Sequence, residues 1–346
     1  MQSPKITIVI PNWNGEKYLR NCLSSILRQT YQLIGITIVD NGSQDESLTL
    51  CRELYPDIKL ISFKENRGFG AAVNEGIKNS HTEFICLLNN DTELDERFFE
   101  KIIEAFTSYP KIEFIAPKMI SYQDRSLIDG AGDGFLRGGI GYRIGTMEED
   151  DGAFDSPRAI FAACAGAAVY RQRFFDAIGD FDEDFFAYLE DIDLHLRAAR
   201  RGIKGLYLPD AKVYHIGSAS SGGKVNSFIV KQTTQNQINL LIKNFTFIDI
   251  LTSLPFILFH HFLWIAVILK HREIRAYISG LINGIKKIHQ MRKKHLSIDL
   301  NIPISDVGYW TKVNEVESEV LAAIIRRRKY NEAKWFFNIY QRLKAK

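Results

Sequence analysis

Three places in this 346-residue chain carry side chains suited to chemistry on a charged substrate. Asn89-Asn-Asp91 follows the apolar run Phe84-Ile-Cys-Leu-Leu88, and amide and carboxylate oxygens at a strand end are hard ligands for a divalent cation. Glu190-Asp191 opens a helical stretch after Phe185-Phe-Ala-Tyr188 and offers a general base. His215 ends a later strand, just before a Gly/Ser run, and offers an imidazole ligand. Each also has an ordinary structural use: Asp91 as a helix cap, Asp191 as a favourable charge in a first helical turn, His215 as a satisfied imidazole.

The elements around them decide whether they can meet. Short β-branched runs at Ile6–Ile10, Ile36–Asp40, Ile58–Phe63, Phe84–Leu88 and Ile112–Ala116 alternate with helix-length segments. That alternation implies right-handed crossovers and a mostly parallel sheet flanked by helices, in which ligands bind beyond the carboxyl ends of the strands. Pro11-Asn-Trp-Asn14, Asp40-Asn-Gly-Ser43 and Asn89-Asn-Asp91 all sit at such ends and should converge on one crevice. Residues 121–156, rich in Gly, Asp and Arg, read as a loop or irregular hairpin over it. Helices are expected at Arg171–Ile178 and from Glu190 to about Arg201, the second closed by Gly202, and a strand at Gly205–Tyr214.

Charge divides the chain near residue 240: residues 1–240 carry a net −7 and residues 241–346 a net +10. A basic tail on an acidic body calls for a polyanionic partner, and the apolar run Ile248–Leu269 beside Lys270, Arg272, Arg275, Lys286, Lys287 and Arg292-Lys-Lys294 favours an anionic membrane surface over nucleic acid. Pro255 and the His260-His261 pair weaken a spanning helix and favour an interfacial one, with amphipathic helices following over 313–343. The four cysteines lack any CxxC spacing, and the first strand starts without a signal-peptide pattern, so catalysis is expected in the cytoplasm. A dinucleotide site fails on spacing, since the third position after Gly68-Phe-Gly70 is Val73. The acidic run Asp180–Asp193 lacks the mid-loop Gly of a calcium-binding hand.

Six segments in order resemble inverting glycosyltransferases of family 2 with the GT-A fold: Pro11-Asn-Trp-Asn-Gly15, Val39-Asp-Asn-Gly-Ser-Gln-Asp45, Asn66-Arg-Gly-Phe-Gly-Ala-Ala-Val-Asn-Glu-Gly76, Leu87-Leu-Asn-Asn-Asp-Thr92, Tyr188-Leu-Glu-Asp-Ile-Asp-Leu194 and His215-Ile-Gly-Ser. The resemblance spans about residues 5–240. It implies a GT-A domain over 1–240 and a helical, membrane-associating region over 241–346.

The resemblance also implies roles. Asp40 would bind the base or ribose of a nucleotide-sugar donor, with Pro11, Asn12 and Asn14 in the same pocket. Asn66, Gly70 and Asn74 would shape the floor near ribose and diphosphate, and Asn89 and Asn90 would face donor. Asp91 and His215 would hold Mg²⁺ or Mn²⁺, the imidazole tilting preference to Mn²⁺. Asp191, with Glu190 as the neighbouring candidate, would deprotonate an acceptor hydroxyl attacking opposite the leaving group, and Lys224 would reach phosphate from the Gly/Ser loop. Asn89 stands where the family commonly has a carboxylate, which would leave metal affinity modest. The style of the motifs is similar to bacterial rhamnosyltransferases using dTDP-rhamnose, with UDP-hexose the alternative. The acceptor expected is a saccharide on a polyprenyl diphosphate, met at the cytoplasmic face of the inner membrane during cell-surface polysaccharide synthesis.

Overall fold

Alternation along the strands builds the core. In β1 (Ile6–Asn12), Ile6, Ile8 and Ile10 enter one apolar cluster while Val9 faces the opposite one. Strands buried on both faces belong in the middle of a helix-covered sheet. The computed structural model describes residues 5–217, 225–300, 306–327 and 338–344, with side chains left aside at 296–300 and 306–307.

After β1 come α1 (Glu16–Leu27), β2 (Ile34–Asp40), α2 (Ser47–Leu54), β3 (Lys59–Ser62), α3 (Phe69–Lys78), β4 (Phe84–Leu88), β5 (Thr92–Leu94) and α4 (Phe98–Ser108). Next are β6 (Phe114–Ser121), β7 (Ile128–Gly130), β8 (Asp133–Leu136), β9 (Ile140–Arg143), β10 (Arg158–Ile160) and β11 (Ala167–Arg171). This part of the chain closes with α5 (Gln172–Ile178), α6 (Glu190–Arg200) and β12 (Gly205–His215).

The main sheet runs β10-β12-β6-β11-β4-β1-β2-β3. β3, β2, β1 and β4 pair in parallel, β11 lies antiparallel between β4 and β6, and β6 and β12 pair in parallel again. Six strands therefore point one way, and their carboxyl ends bring the loops after β1, β2, β4 and β12 to one edge. This is the mixed, mostly parallel α/β sheet that the sequence pattern predicts. The stretch 121–156 contains an ordered β8–β9 hairpin and the edge strand β7, whose short pairings leave no long periodic run to read from sequence.

The tail consists of α7 (Ser227–Asn244), α8 (Phe247–His271), α9 (Ile274–Leu300) and α10 (Asp306–Arg327). Residue 240 falls inside α7, so the change of charge there coincides with no break in the backbone. α8 starts with a capping box between Thr246 and Asp249. α7 and α9 run side by side in parallel: a Cβ on Gly280 would come within 2.6 Å of Lys231 O, and one on Gly284 within 2.7 Å of Ile238 Cδ1. Only glycine permits so close an approach of the two helices.

α8 lies along this pair with Trp264 Nε1 donating to Thr234 Oγ1 at 3.1 Å. Its inner face carries the buried Ser253, Phe256, His260 and Ile268, whereas Phe247, Ile248, Leu251, Leu254, Leu258, Phe262 and Leu269 are exposed. From Ile248 to Phe262 the exposed set recurs every three or four residues, and Leu269 extends it to the last turn. α9 continues an apolar exposed line through Ile274, Ile278, Ile282 and Ile285.

Candidate active site

β5 pairs antiparallel with the end of β12, placing Thr92 opposite His215, and Ile216 N–H donates to Asp91 O at 3.0 Å. These bonds carry the loop after β4 to the end of β12, across β11 and β6. Asp91 and His215 are both buried, and His215 Nε2 lies 3.4 Å from Asp91 Oδ1. On the other side of the ring His215 Nδ1 lies 2.8 Å from Asp129 Oδ2, on β7. Nδ1–H donates to Asp129, which fixes the ring so that Nε2 faces Asp91, and a bound cation would replace the proton on Nε2.

Burial works against a charged His215, but the hydrogen bonds to Asp129 and Asp91 outweigh it and raise its pKa to about 9. Burial likewise pushes the Asp129 carboxyl up, while His215 and the Arg143 guanidinium at 3.0 Å bring it below the usual range. One buried and one half-buried carboxylate on a single imidazole make a corner that favours a cation. The 3.4 Å separation of an oxygen and a nitrogen suits two ligands of one ion, so the donor set fits Mg²⁺ or Mn²⁺.

A cleft of about 650 Å³ opens from this corner. It is lined by Pro11, Asn12, Asn66, Asn89, Asn90, Asp91, Glu190, Asp191 and His215, so nine of the residues expected from sequence meet there. Asn90 Nδ2 donates to Asn12 Oδ1 at 2.7 Å, and Asn12 Nδ2 donates to Asp40 Oδ1 at 3.0 Å. Asn66 Oδ1 accepts from Asn41 Nδ2 at 3.0 Å and from Gly68 N–H at 2.9 Å.

Asn14, Asp40, Gly70 and Asn74 stand outside the lining. Asp40, 1% exposed, has its oxygens taken by Asn12 and by Ser43 N–H, because it folds the turn after β2. Asn14 accepts from Gln44 N–H and joins the turns after β1 and β2. Gly70 packs on Phe181, and Asn74 bonds both the N–H and the carbonyl of Phe181, anchoring the segment that leads to α6. Lys224 lies outside the described residues.

The opposite wall is the start of α6. Glu190 is buried with no partner for Oε2 among the described residues, and burial together with the Asp191 charge raises its pKa to about 8. It therefore keeps its proton at neutral pH. Burial also raises Asp191, opposed by the Arg143 charge and the backbone N–H groups of Ile192 and Ala165, contacts that favour its charged form. Asp133, Cys164 and Asp191 gather their ligand atoms within 4.8 Å of one another. Arg143 supplies the cation of that cluster: its Nη2 donates to Cys164 Sγ at 2.6 Å and its Nε lies 3.6 Å from Asp133.

Asp129, Asp133, Arg143 and Cys164 were not marked by the sequence. The first three sit in the β7–β9 segment, where an Asp or Arg among many glycines looks like ordinary turn chemistry. Asn41, inside the Asp40-Asn-Gly-Ser43 turn, was the one with a local signal.

A mostly parallel α/β sheet thus carries an Asp/His corner and, across one strand-end cleft, the acidic pair Glu190-Asp191. The sequence profile of Glycosyl transferase family 2 matches residues 7–179, and the chain belongs to that family. Over 239 residues it is 24% identical to N-acetylglucosaminyl-diphospho-decaprenol L-rhamnosyltransferase of Mycobacterium tuberculosis, covering 63% of this chain and 78% of the relative. Over 198 residues it is 31% identical to an uncharacterised glycosyltransferase of Rickettsia typhi, covering 57% and 59%. Among solved structures it is similar in fold to Staphylococcus aureus TarS 1–349, with TM-score 0.52, 16% identity and coverage of 94% and 91%. It is also similar to GalNAc-T7 with UDP, GalNAc and Mn²⁺, with TM-score 0.56, 16% identity, 70% of this chain and about half (48%) of that one.

Proposed function

We propose that the protein is an inverting glycosyltransferase that moves a sugar from a nucleotide diphosphate to a hydroxyl of a lipid-linked saccharide. The observation that carries this reading is the placement of the Asp91–His215 pair and Asp191 on one cleft. Asp91 and His215, with Asp129 fixing the imidazole, would hold Mg²⁺ or Mn²⁺. Such an ion, when bound, supplies a Lewis acid for the charge that develops on the departing nucleoside diphosphate.

The chain's own residues do the rest. Pro11, Asn12, Asn66, Asn89 and Asn90 line the donor half of the cleft, and Asp40 and Asn14 hold their turns. Asp191 takes the proton from the acceptor hydroxyl as that oxygen attacks the anomeric carbon from the face opposite the leaving group, which inverts the anomeric configuration. Glu190, protonated beside it, leaves a single base. The name of the mycobacterial relative supports rhamnose as the sugar moved and a polyprenyl-diphosphate saccharide as acceptor; the donor we propose is dTDP-rhamnose, with UDP-hexose as the second reading.

The tail fits a membrane-bound acceptor. α8 is long and apolar enough to cross a bilayer, yet only 17% of its most apolar window is buried by the protein. Ser253, Phe256, His260 and Ile268 nonetheless pack it onto the protein along its length, which supports a helix lying in the interface. Arg275, Lys286 and Lys293 beside the exposed isoleucines of α9 suit anionic headgroups at the cytoplasmic face of the inner membrane. The reading is tested by a donor screen that follows nucleoside diphosphate release with lipid-linked saccharide, with Mn²⁺, Mg²⁺ and EDTA arms. Release that depends on acceptor and on a divalent ion is expected; no release from any donor contradicts it.

A further inference from the structure

The turn before α6 is held in an uncommon shape. Phe186, Tyr188 and Leu189 have φ of 60°, 71° and 68°, left-handed values that residues other than glycine rarely adopt. Such backbone persists only where the surroundings impose it. Here α7 imposes it. Asn236, fully buried, sends Nδ2 toward the carbonyls of Phe185, Ala187 and Tyr188 at 2.8, 2.9 and 2.7 Å, and Gln232 Nε2 donates to Phe185 O at 2.6 Å.

The consequence is where the rings go. Phe185 is buried in the core, whereas Phe186 and Tyr188 are only half-buried and turn toward Phe228 at the start of α7. Phe228 is 44% exposed, with centroids 6.2 Å from each ring at interplanar angles of 74° and 56°. All three rings line the cleft that holds Asp191. Two partly exposed rings on a strained, pinned turn and a third facing them from α7 do little for the core.

We propose that Phe186, Tyr188 and Phe228 form the acceptor-sugar subsite, a wall that takes the C–H face of a pyranose and sets its hydroxyl toward Asp191. This rests on the glycosyltransferase reading and names the half of the cleft that reading leaves open. Aromatic faces match the apolar side of a sugar ring, and hydroxyls at its rim stay free for polar groups. Tyr188 precedes Asp191 by three residues, so wall and base move as one piece. Phe228 also lies at the tail's end of the cleft: its neighbour Ser227 donates to Glu273, just before α9 begins. An acceptor arriving along the exposed faces of α8 and α9 meets Phe228 before it meets the base. A nucleobase has a flat face too, but Trp13, 39% exposed at the end of β1, offers the donor side its own ring.

The test uses the full-length protein with Mn²⁺ and UDP, and methyl N-acetyl-β-D-glucosaminide and methyl β-D-glucopyranoside as sugar probes. Saturation-transfer NMR reads which sugar protons touch protein, and calorimetry reads UDP affinity separately. Transfer concentrated on one C–H face is expected for the wild type and Phe228→Trp. Phe228→Ala and Tyr188→Ala should lower it about fivefold with UDP affinity unchanged. Unchanged transfer in both alanine variants, no transfer in the wild type, or a matching loss of UDP affinity would overturn the proposal. Failure of the donor screen with intact sugar contacts would instead count against the enzymatic reading alone.

Discussion

Asp91 Oδ1 and His215 Nε2 lie 3.4 Å apart although 124 residues separate them in the chain and two strands, β11 and β6, separate β4 from β12 in the sheet. β5 makes the junction, pairing back onto β12 so that the loop carrying Asp91 reaches His215.

The imidazole depends on Asp129 for its orientation. Replacing Asp129 with Ala leaves both direct ligand candidates in place but frees the ring, and losing the carboxylate that orients a ligating imidazole typically lowers metal affinity by roughly 10- to 100-fold. Calorimetric titration of Mn²⁺ in the presence of UDP reads this directly. Affinity equal to wild type would remove Asp129 from the site.

The strand-end geometry was legible before any coordinates because β4 reads as Phe84–Leu88 from its unbroken apolar run, and the structure gives the same bounds. Asn12, Asn90 and Asp91 followed from it. The β7–β9 segment was not legible for a physical reason: strands of three or four residues carry no measurable period, and Asp129 and Arg143 act through pairings visible only once the hairpin is folded. Asn74 shows the opposite limit. It sits on the expected segment, but α3 turns its amide to Phe181, outside the lining of the cleft.

His195 links stability to pH. It is fully buried, its Nδ1 donates to Asp191 O at 2.8 Å, and its Nε2 faces Ala163 N–H at 3.4 Å, so the ring is held neutral. Burial, helped by the Arg197 charge and opposed by the bond to Asp191, lowers its pKa from 6.5 to about 4. The folded-state value is depressed, so the contribution is fully present above 6.5 and is lost as pH falls toward 4. It is on the order of 3 kcal/mol. The denaturant midpoint should fall further between pH 7 and pH 4.5 for wild type than for His195→Asn; parallel losses would contradict this.

The exposed stripe of α8 should govern membrane attachment and little else. Leu258→Asp combined with Phe262→Asp alters two side chains that are 61% and 70% exposed, so the melting temperature should hold. Each apolar side chain buried in the interface contributes about 1.5–3 kcal/mol, so co-sedimentation with phosphatidylcholine–phosphatidylglycerol vesicles should weaken more than about tenfold. Undiminished binding would move the membrane contact elsewhere on the protein.

The division of labour across the cleft is tested most directly by Asp191→Asn, assayed with the donor and acceptor found active in the screen. The account predicts that turnover falls by about 10²- to 10⁴-fold, the usual worth of a general base, while nucleoside diphosphate and Mn²⁺ bind as in wild type on the Asp91–His215 side. Turnover left intact by that substitution would contradict the central claim that Asp191 takes the acceptor's proton.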